Sequence, residues 1–435
     1  MTESVSQPSK GGRRAAFGFI FVSSLINSVS FGIMIPILPN LVKMLTGGDT
    51  AMAADWNVIF GATWGLMQFF IGPILGMMSD RYGRRPVLLL SVFGLGVDFM
   101  FMALAPTLAW LLVGRVLNGM TAASFSTANA YVADVTPPEE RARVFGIMGS
   151  AFSFGFLVGP ALGGYLGDLS LKMADPVILG MTLDITLRLP FYVAAGLTLI
   201  NLLYGVFVLP ESLPVEKRAK AFQWKKANPV GALILLRSHP DLLRLASVGF
   251  LFQLAHTVLP SIFVLYVGYR YHWSPSTMGL TMALTGILGI VVQILLVGPL
   301  VKRIGEKGAL LVGAMFGFLG FAIYGGASTG MLYLIGTPVF ALMGFLQPGL
   351  MGLMSRRVQP QEQGQLQGAN QSLQGIASII GPILFGLTFA WSVRHDATLH
   401  QPGLGIFVAA GLMLLAFVIG LSAAPPPKVA EPPVA

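Results

Sequence analysis

Cysteine is absent from this 435-residue chain, which excludes disulfides, thiolate metal sites and cysteine nucleophiles. Charge is also scarce: Asp, Glu, Lys and Arg together supply 10% of residues, against roughly a quarter in a soluble domain. There is no G-x-x-x-x-G-K-[ST] loop to cradle a nucleotide phosphate and no H-E-x-x-H pair to hold a catalytic zinc. The chain therefore lacks the constellation an enzyme of these types would need, and without a phosphate-binding loop any work against a gradient has to be secondary rather than ATP-driven.

What is present is apolar surface. Hydrophobic residues make up 54% of the chain and the mean hydropathy is +0.75. A membrane-crossing helix takes roughly 20 such residues, which places twelve spans near 15–43, 56–79, 86–105, 108–134, 143–167, 188–209, 243–268, 275–300, 308–326, 330–354, 365–391 and 403–423. The expected fold is therefore an all-α membrane protein. Its parts are a tail (1–14), a six-helix bundle (15–209), a linker (210–242), a second six-helix bundle (243–423) and a Pro-rich tail (424–435). Arg13-Arg14 before the first run resembles the head of a signal peptide. The run is too long and lacks a small-residue cleavage site, so it reads as a retained span. The linker stretch "PESLPVEKRAKAFQWKKANP" is expected to hold an amphipathic segment.

The net charge of +9 follows topology. Lys10, Arg13, Arg14, Arg81, Arg84, Arg85, Arg141, Arg143, Lys217 to Lys226, Arg237, Lys302, Arg303, Lys307, Arg356, Arg357 and Lys428 fall on one side. The other side keeps Lys43, Lys172, Arg188, Arg270 and Arg394. By the positive-inside rule both termini and the linker are cytoplasmic, and nucleic acid is not a partner. The expected setting is a bacterial-type inner membrane.

Two loops match at a constant offset. "SDRYGRRPVLL" aligns with "VKRIGEKGALL" 222 positions later, and the same shift pairs Pro138 with Pro360, Glu140 with Glu362, Gly146 with Gly368 and Gly159-Pro160 with Gly381-Pro382. Two parallel six-span repeats predict a pseudo-twofold axis along the membrane normal and a ligand site near the midplane.

Few ionisable groups lie inside the spans, and such groups mark function. Asp98 sits about 18 Å from the cytoplasmic face and Arg115 about 10 Å from the opposite one, at 1.5 Å per helical residue. In a core about 30 Å thick the two fall within a turn of each other, and the short loop between their helices makes an ion pair sterically easy. They form the expected proton-coupling group, with His256 of span 7 as a second titratable position. Asn27, Asn118, Gln253, His256, Gln293, Gln347, Asn370, Gln371 and Gln374 are the expected lining of a substrate cavity. They accompany 21 Met and 30 Phe, which suit a bulky, neutral or weakly cationic amphipathic molecule. At the loop after span 2, Asp80, Arg84 and Arg85 crowd a turn with Gly76 and Gly83, and Asp134 at the end of span 4 is the natural partner for the arginines. The matching positions in the second half are Lys302 and Glu306, with the charges exchanged.

The stretch "GMMSDRYGRRPVLL" resembles the loop 2–3 signature of the major facilitator superfamily. "LLVGRVLNGMTAA" is similar to its fourth-helix Arg motif, and "GFLVGPALGG", with Gly155, Gly159, Pro160, Gly163 and Gly164, to the fifth-helix motif of the drug:proton antiporters. "GVDFMFMALAP", "ANAYVADVTPPEERARVFG", "YRYHW" and "QGQLQG…SIIGPILFG" look like the TetA-type tetracycline-efflux branch, over about residues 17 to 420. The resemblance implies alternating access between two halves, a cytoplasmic latch at Asp80 and Arg84, and proton-coupled export by a monomer. An importer or facilitator of a metabolite or metal chelate on the same scaffold is the alternative. Asp98, Arg115 and Gln293 match the branch pattern. Asn27 stands where that pattern has Asp, Gly289 where it has His, and Gly317 near a further Asp.

Overall fold

The computed structural model describes residues 10–121, 124–136, 140–178, 181–219, 240–359 and 362–423. The terminal tails, Pro138, Pro360, Arg237, Lys428 and the linker from 220 to 239, with its expected amphipathic segment, lie outside the described residues.

Among the described residues ten helical segments are long and apolar enough to cross a membrane, and the helices are consistent with the twelve expected spans. Span 1 is Lys10–Met34 continued by Leu38–Leu45, span 2 Thr50–Tyr82 and span 3 Arg84–Leu104. Span 4 is Leu108–Thr121 with Ser124–Val135, span 5 Arg141–Ser170 and span 6 Leu189–Val208. Span 7 joins Pro240–His256 to Val258–Tyr271. Span 8 runs from Pro275–Val291 through a π turn at Val292–Leu296 into the helix Val297–Gly326. Gly305 in that helix has φ 72° and ψ 174°, so the 52 apolar residues from Pro275 to Gly326 are two spans, 8 and 9. Span 10 is Gly330–Ala341, a 3-10 turn at Leu342–Phe345 and Leu346–Ser355; span 11 is Gln363–Arg394 and span 12 Leu404–Leu421. Among the described residues the departure from pure helix is a two-residue antiparallel pair before span 6, Val177 facing Thr182.

The helix limits repeat at the offset seen in the sequence. Spans 5 and 11 begin at Arg141 and Gln363 behind the N-cap residues Glu140 and Glu362. The chain reverses between spans 2 and 3 at Gly83 and between spans 8 and 9 at Gly305, with φ of 109° and 72°. Only glycine enters this region without a Cβ clash, so these two turns fix glycine at both repeat positions.

Several expected continuous spans are broken. Span 1 turns at Ile35–Ile37 beside Pro36, and span 7 at Thr257, three residues before Pro260. Proline supplies no amide hydrogen to the ladder, and the neighbouring carbonyls lose their partners. Non-helical backbone at membrane depth is tolerated where protein or a cavity satisfies it.

Residues group into two compact units, the first comprising 1–47, 63–227 and 274–283 and the second 48–62, 228–273 and 284–435. The start of span 2 thus groups with the second unit and the start of span 8 with the first, whereas the sequence division placed each whole span in its own bundle. In the first unit Gly164 lies against the backbone of Pro275 and Ser276, and Gly279 against Pro160. In the second, Gly61 lies against Pro382 and Gly386 against Val58. Arg394 at the end of span 11 forms an ion pair with Asp55 there.

Tyr131, Val132, Ile20, Leu88, Met148 and Leu209 form a core cluster of the first unit. In the second, Tyr324 stacks on Tyr333 with ring centroids 4.0 Å apart. Arg188 donates to the carbonyls of Ala103 and Ala105 at 3.2 and 2.7 Å, and Arg270 to that of Ala327 at 2.8 Å. Both cations close the C-terminal ends of spans, where helix carbonyls lack partners.

Candidate functional site

Asp98 of span 3 is fully buried and Arg115 of span 4 is 5% exposed. The guanidinium engages both carboxylate oxygens: Nε donates to Oδ1 at 3.3 Å and Nη2 to Oδ2. Nη2 also reaches the Met102 sulfur at 3.8 Å. Gly114, one residue before the arginine, leaves room for the carboxylate, since a Cβ there would lie 2.9 Å from Asp98 Oδ1. The depth count made from sequence thus brings the two charges together in one bidentate pair.

At the start of span 3 in the same unit Arg84 is a clamp. Its Nη1 bonds Asp80 Oδ1 at 2.5 Å and its Nε bonds Asp134 Oδ2 at 3.0 Å. Arg85, expected to meet a carboxylate, instead donates to the Val206 carbonyl at 2.6 Å. The acid that serves it is Glu211, which sequence reasoning left in the linker. Glu211 accepts from the backbone amides of Arg84 and Arg85 at 2.8 and 3.3 Å and from those of Ser212 and Leu213 at 3.0 Å. A carboxylate at the positive end of span 3 complements its dipole. The Ala219 amide then bonds the Asp80 carbonyl at 2.9 Å. Gly76 lies inside span 2, where a Cβ would meet nothing within 4 Å, so the turn does not require it.

The second unit repeats this clamp with reversed polarity. Glu306 pairs with Arg356 at 2.7 Å, and these positions lie 222 residues beyond Arg84 and Asp134. Lys302, the counterpart of Asp80, takes no part in it.

The predicted cavity residues have separate fates. Asn118 accepts from Trp64 Nε1 at 2.9 Å, and Trp64 belongs to an aromatic wall that sequence reasoning missed. Phe31 stands 6.3 Å from Trp64 and 5.8 Å from Phe156, which lies 4.5 Å from Phe152. Asn27 accepts from Asn201 Nδ2 at 3.0 Å. In the second unit Gln293, Gln347, Gln371 and Gln374 are exposed, and their side chains bond no described residue. Gln293 occupies the π turn, a distortion that recurs at functional sites. Asn370 reaches the Met351 sulfur at 3.6 Å. His256 is exposed at the break in span 7, its ring 6.0 Å from Phe252 and about one turn beyond Gln253.

The fifth-helix glycines face two ways. Gly155, Gly159 and Gly163 lie against Ser28, Gly32 and Ile33 of span 1, while Pro160 and Gly164 meet the start of span 8. Gly289 has open space around it, whereas Gly317 is enclosed by Met343 and Met413. Among the described residues no cluster of His, Cys, Asp or Glu could hold a metal ion.

Ten helical segments of membrane-crossing length among the described residues, with helix starts and turns that recur at a 222-residue offset and an ion pair buried between spans 3 and 4, define a multi-pass membrane protein. The family model "Major Facilitator Superfamily" matches residues 20–382 and 245–434, and the chain belongs to that superfamily. Within it the chain falls in the TetA-type branch. It is 35% identical to the class C tetracycline resistance protein of Escherichia coli, covering 90% of this chain and 92% of that one. It is 30% identical to the class H protein of Pasteurella multocida, covering 86% and 89%. The structure of the human organic anion transporter MFSD10 shares the fold with a TM-score of 0.64 and 24% identity, covering 94% of this chain and 99% of that one.

Proposed function

We propose that this chain is a proton-coupled antiporter that exports amphipathic organic compounds across a bacterial-type inner membrane. It works as a monomer, by alternating access, with both termini on the cytoplasmic side. The observation that carries this reading is the Asp98–Arg115 pair, sealed from water between two spans. Protonation of Asp98 neutralises the carboxylate and leaves the Arg115 cation without its counter-charge, which loosens a bidentate lock, so spans 3 and 4 gain a second arrangement. A ligand or proton that favours one arrangement shifts the balance between them.

Within the first unit the aromatic wall of Phe31, Trp64 and Phe156 offers an apolar surface for cargo. The second unit, taken by itself, offers polar surface at the exposed amides of spans 8, 10 and 11 and at His256. The clamps at Arg84 and Glu306 hold the cytoplasmic ends of their units during the cycle, and the branch relationship supports export over uptake. Tetracycline itself does not follow from that relationship, because Asn27, Gly289 and Gly317 replace titratable residues of the branch pattern.

Inside-out vesicles with an acidic interior test the reading. A fluorescent amphipathic dye is expected to accumulate, to leak when the gradient is collapsed, and to stay outside with Asp98→Asn. Full accumulation by Asp98→Asn would remove the proton role, and accumulation only in right-side-out vesicles would reverse the direction.

A further inference from the structure

The turn between spans 8 and 9 carries more positive charge than its neighbours take up. Arg356 pairs with Glu306, Arg357 donates to the Leu353 carbonyl at 2.8 Å, and Lys307 donates to the Leu421 carbonyl, at the end of span 12, at 2.9 Å. Glu362 accepts from the Gln359 amide at 2.9 Å. Lys302 and Arg303 are exposed, and among the described residues neither side chain has an ion pair or a hydrogen bond. The matching turn of the first unit has the opposite sign at this point. Position 80, the counterpart of 302, is an aspartate held by Arg84, with Asp134 on the same arginine and Glu211 on its amide. The two turns share a positive-φ glycine, so the surplus at Lys302 and Arg303 is not required by the turn itself.

Span 8 continues below these cations as an apolar face. One turn before Lys302, Gly298 is exposed, and a Cβ there would meet nothing within 4 Å, which leaves a gap in the helix surface. A turn earlier Leu295 is 61% exposed, and a turn before that Val291 is 40% exposed. Residues at this spacing share one helix face. One leaflet is half of a core about 30 Å thick, or about ten residues of helix. With Lys302 and Arg303 level with the headgroups, Leu295 and Val291 therefore lie at acyl-chain depth.

A free phosphate or an acidic protein segment would match the cations and leave the gap and the apolar face unused. A zwitterionic lipid would match the face but bring its own ammonium to the cations. An anionic phospholipid fits both, and basic side chains at a membrane surface attract such lipids. We infer that the end of span 8 binds one anionic phospholipid, with its phosphate on Lys302 and Arg303, its glycerol over Gly298 and an acyl chain along Leu295 and Val291. The site requires that the helices cross a membrane and is independent of the direction and coupling of transport.

The test is native mass spectrometry of the purified full chain in detergent, delipidated and then titrated with dioleoyl phosphatidylglycerol or dioleoyl phosphatidylcholine. Wild type is expected to hold one phosphatidylglycerol more tightly than any phosphatidylcholine. Lys302→Gln/Arg303→Gln should weaken that lipid by about tenfold to thirtyfold, the value of two basic side chains at a membrane surface, and leave phosphatidylcholine unchanged. Lys43→Gln/Lys172→Gln removes the same charge elsewhere and should leave the tight lipid in place. Gly298→Leu keeps every charge but fills the gap, and should weaken phosphatidylglycerol as well. Equal affinity of wild type for the two lipids, equal losses from the two double variants, or an unchanged affinity in Gly298→Leu overturns the site. So does displacement of the lipid by inorganic phosphate, which would assign the cations to a free anion.

Discussion

At the scale of single residues, the energetics of the Asp98–Arg115 pair are asymmetric. Removing one partner leaves the other charged and unpaired in a medium with no water, a loss of about 3–5 kcal/mol for buried pairs, whereas replacing both can be neutral. Asp98→Asn is therefore expected to lower the melting temperature in detergent, and the double variant Asp98→Asn/Arg115→Leu to regain most of it. A double variant no more stable than the single one would show that other groups hold the two spans. The two glycines that depart from the branch pattern make a second contrast. Gly289→His enters open space and should leave stability unchanged. Gly317→Asp drives a carboxylate against Met343 and Met413 and should destabilise by at least the 1–3 kcal/mol typical, to about a factor of two, of overpacking. Asp98 and Arg115 were legible in the sequence because depth along a helix is a count of residues. Asn201 was not, since a lone Asn in a span carries no local sign of a partner 174 positions away.

Among elements, the start of span 3 is held by a residue from beyond span 6. Glu211 satisfies amides that the first turn of a helix leaves bare, as an N-cap side chain would. Replacing it by Ala should cost about 1 kcal/mol and speed hydrogen exchange at the amides of Arg84 and Arg85 ahead of the rest of span 3. The clamp partners Arg84 and Asp134 were readable because both lie at helix ends carrying opposite charge. The role of Glu211 was not, because nothing in "LPES" says where the linker folds back. The breaks at Thr257 and in the π turn escaped notice for a related reason: hydropathy reports that a segment is apolar, and Thr, Gln and Val at those points leave the helical pattern unchanged. In the second unit the pair Glu306–Arg356 has one partner 49% exposed, so its coupling should be small, about 0.2–1 kcal/mol in a double-mutant cycle. The exchange Glu306→Arg/Arg356→Glu should match wild-type stability more closely than either single change.

For the whole molecule, the repeat visible as a 222-residue offset proved to govern geometry as well as sequence: helix starts, positive-φ turns and clamp pairs all recur at that spacing. The grouping of the first turns of spans 2 and 8 was hidden, since it depends on which surfaces meet after folding. Asp55 and Arg394 tie the start of span 2 to the end of span 11 within the second unit, and transport is expected to need this pair free to open. The chain has no native thiol, so Asp55→Cys/Arg394→Cys bridged by a short bis-thiosulfonate should halt dye accumulation, with recovery on reduction; unimpeded accumulation in fully bridged protein would show that transport does not need this pair to open. The junctions at Gly83 and Gly305 bear on how such motion spreads. A surface loop of many residues has slack and absorbs the swing of one rod before the next one feels it. A single residue has none, so spans 2 and 3, like spans 8 and 9, are bell-cranks: a tilt of one arm must appear at once as torque on the other.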